Sequence, residues 1–307
     1  MEVVPIRWIR VRDLEPIFEE EACAWTAEMH WDIRPALKLL RGHLEMETLE
    51  GYALRQGDEI LGYIYFVVHG DTACVADVYV LKRAATPDGY GLLTSRCIEE
   101  LQSRSSIQRI ESQLVPFHCS LAEPFRQRSF QVHRRNYLVL PLPAARTRRK
   151  LKRPFHLREW RATDTERAAS IIYDSYRNSP EAVLSRDYQN LEGCRRFIRN
   201  VTQSPSCGRF RPDLTEMAFR GGDEAVGLMM AAEISPGTLM IPQLSIMRAC
   251  QGKGLGKLLL GRLLDSPGGA FDRIALSVTE SNRQAVRLYS SFGFQPRREF
   301  EAYVWNR

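Results

Sequence analysis

No stretch of the chain approaches 18 consecutive apolar residues, so no membrane-spanning helix is expected. The first residues, Met-Glu-Val-Val-Pro-Ile-Arg-Trp, lack the basic start and apolar core of a secretory signal. Histidine is scarce, at 6 of 307 residues, and the 7 cysteines are scattered and odd in number, with no CxxC pair. A disulfide framework is therefore excluded, and free thiols in a reducing cytoplasm are expected. Histidine and cysteine never cluster at ligand spacing, so no metal site is expected. What is present describes a soluble globular protein, with 44% hydrophobic and 26% charged residues and length enough for two domains.

The net charge of +6 suggests an anionic partner until its location is considered. Residues 146–153 read Arg-Thr-Arg-Arg-Lys-Leu-Lys-Arg, and without these six basic side chains Lys+Arg and Asp+Glu balance at 37 each. A folded nucleic-acid binder spreads such charge over a face and interleaves aromatics. The segment reads instead as a solvated linker, and nucleic acid is not an expected partner. Pro141-Leu-Pro143 before it and Pro154 after it suit a domain boundary, giving domains at 1–143 and 155–307 joined by a linker at 144–154.

Residues 251–256 read Gln-Gly-Lys-Gly-Leu-Gly, between an apolar strand-like run and the helical run Lys257-Leu-Leu-Leu-Gly-Arg-Leu-Leu264. A glycine-rich turn opening a helix offers several backbone N–H groups and the positive end of the helix dipole to one point. Gly252, Gly254 and Gly256 would let a bulky anion approach bare backbone, with Leu255 between them and Lys253, Lys257 and Arg248 around it. The two lysines could equally be solvated surface groups. The P-loop pattern fails for want of a Ser/Thr after Lys257, and the dinucleotide pattern GxGxxG fails at Lys257. What fits is Gln-x-x-Gly-x-Gly at Gln251, Gly254 and Gly256. About 30 residues on comes Asn282-x-x-Ala285-x-x-Leu288-Tyr289-x-x-x-Gly293-Phe294. Asn282 can cap a helix on which Ala285, Leu288 and Tyr289 share a face, ended by Gly293.

These two blocks, in this order and spacing, resemble the signatures of the GNAT superfamily of N-acyltransferases, over roughly residues 155–305. The resemblance implies a mixed-sheet α/β (α+β) domain that binds acetyl-CoA, or another acyl-CoA, at the glycine turn, with an added cofactor contact for Asn282. It implies that a backbone amide in Leu244-Ser245-Ile246 polarises the thioester carbonyl, and that Tyr289 protonates the departing thiolate. Pro242 in that strand suits a splayed position. A lysine-like amine titrates near ~10.4, so a base or desolvation must supply its neutral form. Some family members carry a glutamate at the start of this strand, where this chain has Met240. The nearest carboxylate is Glu233, which is the candidate base and equally a surface acid. Cys250 has no histidine beside it in sequence and reads as a small buried filler.

The two halves resemble each other. Ala53-x-Arg55-x-Gly57-Asp58-Glu59-x-x-Gly62 recurs as Ala218-x-Arg220-x-Gly222-Asp223-Glu224-x-x-Gly227, and Phe130-Gln131 recurs as Phe294-Gln295. Both copies of the first pattern read as a hairpin turn, and the chain reads as two tandem domains of one plan. Near the same offset Pro87 and Asp88 fall opposite Gly252 and Lys253, Phe125 opposite Tyr289, and His118 opposite Asn282. The first half is therefore expected to keep the fold, lose catalysis, and shape a substrate wall. The arrangement is similar to that of tandem acyltransferases of the mycothiol synthase type. The expected activity is transfer of an acyl group to a primary amine, small-molecule or peptide, by direct attack in a ternary complex. A non-catalytic coenzyme-binding or sensing module, or a scaffold, would use the same turn. The acceptor would be gripped around Ser175–Pro212, where seven arginines suit either an acidic acceptor or solvated helix faces. The chain is expected to act in the cytoplasm as a monomer or homodimer.

Overall fold

The computed structural model describes residues 1–144, 154–265 and 271–307. The basic segment 146–153 lies outside the described residues. The chain forms two compact units. One comprises Met1–Arg135 with Glu299–Arg307, the other Asn136–Arg298.

In the first unit β1 (Glu2–Pro5) is followed by α1 (Val11–Met29), α2 (Arg34–Glu45) and the antiparallel strands β2 (Glu50–Gln56), β3 (Glu59–His69) and β4 (Thr72–Val80). Then come α3 (Pro87–Ser103), β5 (Arg109–Leu114), α4 (Ala122–Gln127) and β6 (Gln131–Pro141), the last of which leaves the unit after Arg135. The second unit repeats the plan. It has β7 (Phe155–Glu159), the helices α5 (Thr165–Tyr176), α6 (Pro180–Leu184) and α7 (Leu191–Gln203), a short β8 (Arg209–Phe210), then β9 (Glu216–Arg220), β10 (Glu224–Ser235) and β11 (Thr238–Ile246). After these follow α8 (Leu255–Asp265), β12 (Arg273–Thr279), α9 (Arg283–Ser290) and β13 (Gln295–Asn306).

Strand order is β1-β2-β3-β4-β5-β13 in the first unit and β7-β9-β10-β11-β12-β6 in the second. Each is a mixed sheet that contains a parallel pair, β4 with β5 in the first and β11 with β12 in the second. Helices cover both faces. In the second unit α5 and α7 pack on Met217, Phe219, Leu228 and Met230, while α8 and α9 pack on Ala218, Val226, Ala231 and Ile241. The alternation of Met217, Ala218 and Phe219 between the two cores is the period-two pattern of a strand buried on both faces.

The unit boundaries differ from those expected. Residues 136–141 belong to the second unit and 299–307 to the first. The reason is packing. Ala302, Tyr303 and Val304 are buried, and the Tyr303 ring stacks on Phe125 with centroids 3.8 Å apart. Leu138 and Leu140 enter the core beneath α8 and α9. Each unit thus takes its last strand from the other half of the sequence.

The two glycines of the repeated pattern are crowded in different ways. A Cβ at Gly62 would meet the Tyr79 carbonyl oxygen at 2.5 Å, where the β4 backbone passes too close for a side chain. One at Gly227 would meet side chains, Ile246 Cδ1 at 2.8 Å and Ala218 Cβ at 3.1 Å. The hairpin turns differ. The first is the two residues Gly57-Asp58, the second the three residues Gly221-Gly222-Asp223, with φ near +60° at Gly57 and Gly221.

Among the described residues no helix is long and apolar enough to cross a membrane, and no group of three or more His, Cys, Asp or Glu is placed to hold a metal ion. None of the seven cysteines forms a disulfide, and Cys250 is buried.

Candidate active site

The second unit opens between its parallel strands. Register pairs join Thr238 to Arg273, Leu239 to Ile274 and Met240 to Ala275, and there they stop, although β11 runs on to Ile246 and β12 to Thr279. The parting coincides with a bulge. Met230 pairs with Gln243 and Ala232 with Met240, so Ile241 and Pro242 together face Ala231. One extra residue bends β11 away, and Pro242 at the bulge has no amide to leave unpaired.

The register also settles which amides face the gap. Leu228 pairs with Ser245, and the Met247 N–H donates to the Val226 carbonyl. Alternate residues of an antiparallel strand turn their amides to opposite sides. Ser245 therefore points its N–H at β10, while Leu244 and Ile246 turn theirs toward the opening. Of the three residues expected to polarise a carbonyl, Ser245 is removed on this ground and two remain. Its hydroxyl is engaged as well, accepting from Gln243 Nε2. Gln251 closes the end of this strand, donating Nε2–H to the Ile246 carbonyl at 3.0 Å.

The glycine turn follows. Gly252 and Gly254 have φ of +74° and +86°. The first amide of the turn to find a carbonyl is that of Leu258, bonded to Gly254 at 3.0 Å. The amides of Gly252, Lys253, Gly254, Leu255, Gly256 and Lys257 have no acceptor among the described residues. A Cβ on Gly252 would meet nothing within 4 Å. Six consecutive unpartnered donors at a helix N-terminus, beside open space, form a concave cradle for an anion. The Lys253 ammonium folds back to the Ala249 carbonyl at 2.8 Å. The two sequence blocks meet here, since a Cβ on Gly256 would lie 3.3 Å from Leu288 Cδ2 of α9.

On α9, Asn282 caps the helix by accepting from the Ala285 N–H at 3.1 Å. Its Nδ2 donates to Glu181 Oε1 at 2.7 Å. Both ends of the side chain are thus engaged within the protein, which leaves little for the cofactor contact expected of it. Tyr289 is 8% exposed, with its ring 5.6 Å from Phe294. Its hydroxyl has no hydrogen-bond partner among the described residues. Burial foremost, then the nearby Tyr176 and Glu181, raise its pKa far above the usual phenol range, so it holds its proton.

Glu233 is not brought to this site. It pairs with Leu239, at the end of β11 remote from the glycine turn, and its Oε2 is held by Arg209 and Arg211. Five residues of strand separate Leu239 from Leu244, roughly 17 Å. The base role expected of it has no geometric support. Five of the seven arginines of this region are paired with carboxylates. Arg195 pairs with Glu166 and Glu192, Arg196 with Asp187, Arg199 with Glu192, Arg209 with Glu233 and Arg211 with Asp213. This weakens the electrostatic argument for an acidic acceptor.

Glu181 is the residue that sequence reasoning missed. Ser179-Pro-Glu181 reads as the capped first turn of a short helix, where a glutamate ordinarily complements the dipole in water. Its partner Asn282 lies 101 residues away, and no local signal links them.

The corresponding turn of the first unit has no cradle. Thr86 caps α3, its Oγ1 accepting from Gly89 N–H at 3.1 Å and its carbonyl from Tyr90 N–H at 3.1 Å. Thr86 thereby does the work of Gly254, and the loop is two residues shorter. The residue-by-residue matching of Pro87 and Asp88 with Gly252 and Lys253 does not hold. Farther on, the match of Phe125 with Tyr289 is sound, whereas that of His118 with Asn282 is not, because α4 starts later, with Leu121 at its N-cap position, while α9 is capped at Asn282. Phe130 N–H donates to Phe125 and Phe294 N–H to Tyr289, and Ser129 has φ +64° where Gly293 has +91°.

Residues 172–294 match the acetyltransferase (GNAT) family. A stretch of 61 residues is 41% identical to the spermine/spermidine N(1)-acetyltransferase of Bacillus subtilis, taking in 19% of this chain and 40% of that protein. The fold is similar, over 99% of this chain, to a GCN5-related N-acetyltransferase from Sphaerobacter thermophilus, with a TM-score of 0.68, 16% identity and 95% of that chain covered. A tandem GNAT protein from the clavulanic acid biosynthesis pathway is similar over 99% of this chain and 98% of its own, with a TM-score of 0.61 and 14% identity.

Proposed function

We propose, since residues 172–294 belong to the acetyltransferase (GNAT) family, that this protein is an acetyl-CoA-dependent N-acetyltransferase whose chemistry is carried by the second unit. The observation that carries this reading is the run of unpartnered amides from Gly252 to Lys257. The diphosphate of acetyl-CoA would lie against them. The acyl arm would enter the gap between β11 and β12, where the Leu244 or Ile246 amide would receive the thioester oxygen. One fixed backbone donor of this kind is commonly worth about 3 kcal/mol in the transition state. Tyr289, kept protonated by its burial, would give its proton to the departing thiolate. The acceptor would be a primary amine attacking directly within a ternary complex. Among relatives matched over part of their length, one is named for spermine and spermidine, which makes polyamines the first amines to assay.

A module that binds the coenzyme without catalysis would use the same amides. A Tyr289 hydroxyl kept protonated, on the helix whose Leu288 packs against the glycine turn, favours an enzyme. Titration calorimetry with acetyl-CoA is expected to find one tight site per chain, and an amine panel is expected to release free CoA. Tyr289→Phe should lower kcat about 10²–10³-fold, within the usual range for a general acid, and leave acetyl-CoA affinity unchanged. A wild-type chain that binds no acetyl-CoA, or binds two equivalents equally, would overturn the proposal.

A further inference from the structure

Among the described residues, the only charged partner of Asn282 is a buried acid whose second oxygen is idle. Glu181 is 7% exposed, its Oε1 accepts from Asn282, and its Oε2 is buried without a hydrogen-bond partner. A buried carboxylate oxygen left unmatched costs free energy, and such a cost is carried where a ligand meets the group. Glu216, another buried glutamate of this unit with an idle oxygen, has Arg262 as counter-ion at 3.2 Å. Glu181 has no cationic partner among the described residues.

We propose that Glu181 receives the acceptor amine: Oε2 binds the incoming ammonium and takes its proton, so that the acceptor is an amine that arrives as a cation. This inference rests on the reading of the second unit as an N-acetyltransferase. Glu181 sits on α6, within the segment that follows α5, and its bond to Asn282 ties it to the N-terminus of α9, the helix that carries Tyr289. Its charge also helps to raise the Tyr289 pKa. Base and acid thus belong to two elements that are hydrogen-bonded to each other. The first proton of R–NH3⁺ moves to Glu181 Oε2. The freed lone pair forms the N–C bond to the thioester carbonyl carbon. As the C–S bond breaks, the thiolate takes the Tyr289 proton, the second nitrogen proton returns to the tyrosine oxygen, and the Glu181 proton leaves to solvent. The elements against α6 bring other titratable groups: Tyr173, Asp174 and Tyr176 from α5, the 3-10 turn Arg186–Tyr188, and Arg283 and Arg287 from α9. Of these Asp187 is paired with Arg196, and Asp174 accepts from the Arg248 N–H at 2.8 Å.

The test compares Glu181→Gln with wild type across pH, using a protonated aliphatic amine and a weakly basic aromatic amine that arrives neutral. Glutamine keeps the Asn282 bond. Its kcat/KM for the aliphatic amine should fall about 10²–10⁴-fold, the loss for the neutral amine should be at least tenfold smaller, and the acetyl-CoA Kd should stay within twofold. Asn282→Asp supplies a second reading. Aspartate can still cap α9, but it takes the Nδ2–H donor from Glu181 Oε1 and sets a like charge beside it, so kcat/KM across pH should depart from wild type for the aliphatic amine more than for the neutral one. Equal losses for both amines, or an unchanged profile in both variants with acetyl-CoA still bound, would overturn the role of Glu181. A wild type that binds no acetyl-CoA would instead overturn the reading beneath it, and this one with it.

Discussion

At Gly252 two demands coincide, and glycine meets both at least cost. The backbone sits at φ +74°, in the left-handed region, and the space where a Cβ would stand is empty to 4 Å. The first demand is about strain, roughly 1–2 kcal/mol for an L-residue. The second concerns what occupies that space when a ligand is present. The substitution Gly252→Ala separates them. Strain alone lowers the melting temperature by only a few degrees in a domain of this size, since the added methyl meets no protein atom. If the diphosphate lies there, the methyl also keeps it from the amides, and the acetyl-CoA Kd should rise tenfold or more, about 1.4 kcal/mol. Calorimetry and a thermal melt on the same sample decide it; an unchanged Kd places the diphosphate elsewhere. This turn was readable in sequence because everything it requires is local: three glycines, a helix start, and a glutamine that closes the strand behind them. Glu181 was not readable, because what sets it apart from a surface glutamate is a bond to a side chain 101 positions on.

Helices and strands of the two units are the same devices with different fittings. In each, the strand after the hairpin bulges by one residue, near Ala76 in β4 and Ile241 in β11, and its parallel neighbour pairs with only its first part. The fitting that differs is the end of the following short helix. Phe125 of α4 is fully buried, stacked on Tyr303 at 3.8 Å and edge-on to Phe130 at 5.0 Å. Its counterpart Tyr289 carries a hydroxyl with no hydrogen-bond partner among the described residues. Restoring the hydroxyl by Phe125→Tyr should therefore confer no second coenzyme site. It should bury an oxygen with no partner at a cost of about 1–3 kcal/mol, read as a lower melting temperature with an unchanged stoichiometry of one acetyl-CoA. A second equivalent of acetyl-CoA bound by this variant would contradict the account of the first unit. The pairing of Phe125 with Tyr289 could be drawn from a constant sequence offset because the interval from the aromatic to the phenylalanine after the helix stop is five residues in both units, although α4 has six residues and α9 eight. The same offset failed at the turns, where Thr86 caps α3 directly and the intervening loop is shorter. A single offset cannot register an internal deletion.

For the molecule as a whole, the boundary that composition suggests is not the boundary that packing makes. Prolines and a run of six basic residues mark where the chain passes between repeats, and they are local features. Which sheet a strand completes depends on contacts between segments far apart in the chain, and an apolar strand carries no mark of its destination. Tyr137-Leu-Val-Leu140 and Ala302-Tyr-Val304 are alike in composition, yet the first belongs to the second unit and the last three residues to the first. Expression of fragments makes the difference measurable. A piece cut at the compositional boundary, 155–307, lacks residues 136–141 beside β12 and carries Ala302, Tyr303 and Val304 away from the Phe125 core that buries them. Leu138 and Leu140 are removed from under α8 and α9, and losing two buried leucines from a core costs several kcal/mol. That is a large share of the 5–15 kcal/mol that holds an ordinary domain folded. A piece cut along the packing boundary, 136–298, keeps both leucines, the glycine turn, Asn282 and Tyr289, and ends before the apolar strand that belongs elsewhere. The expected result is a cooperative thermal transition and dispersed amide spectrum for 136–298, against aggregation or a broad, non-cooperative melt for 155–307. Equal behaviour of the two pieces would mean that the last strand contributes nothing to its unit, and that the repeats, rather than the packed units, are the folding domains.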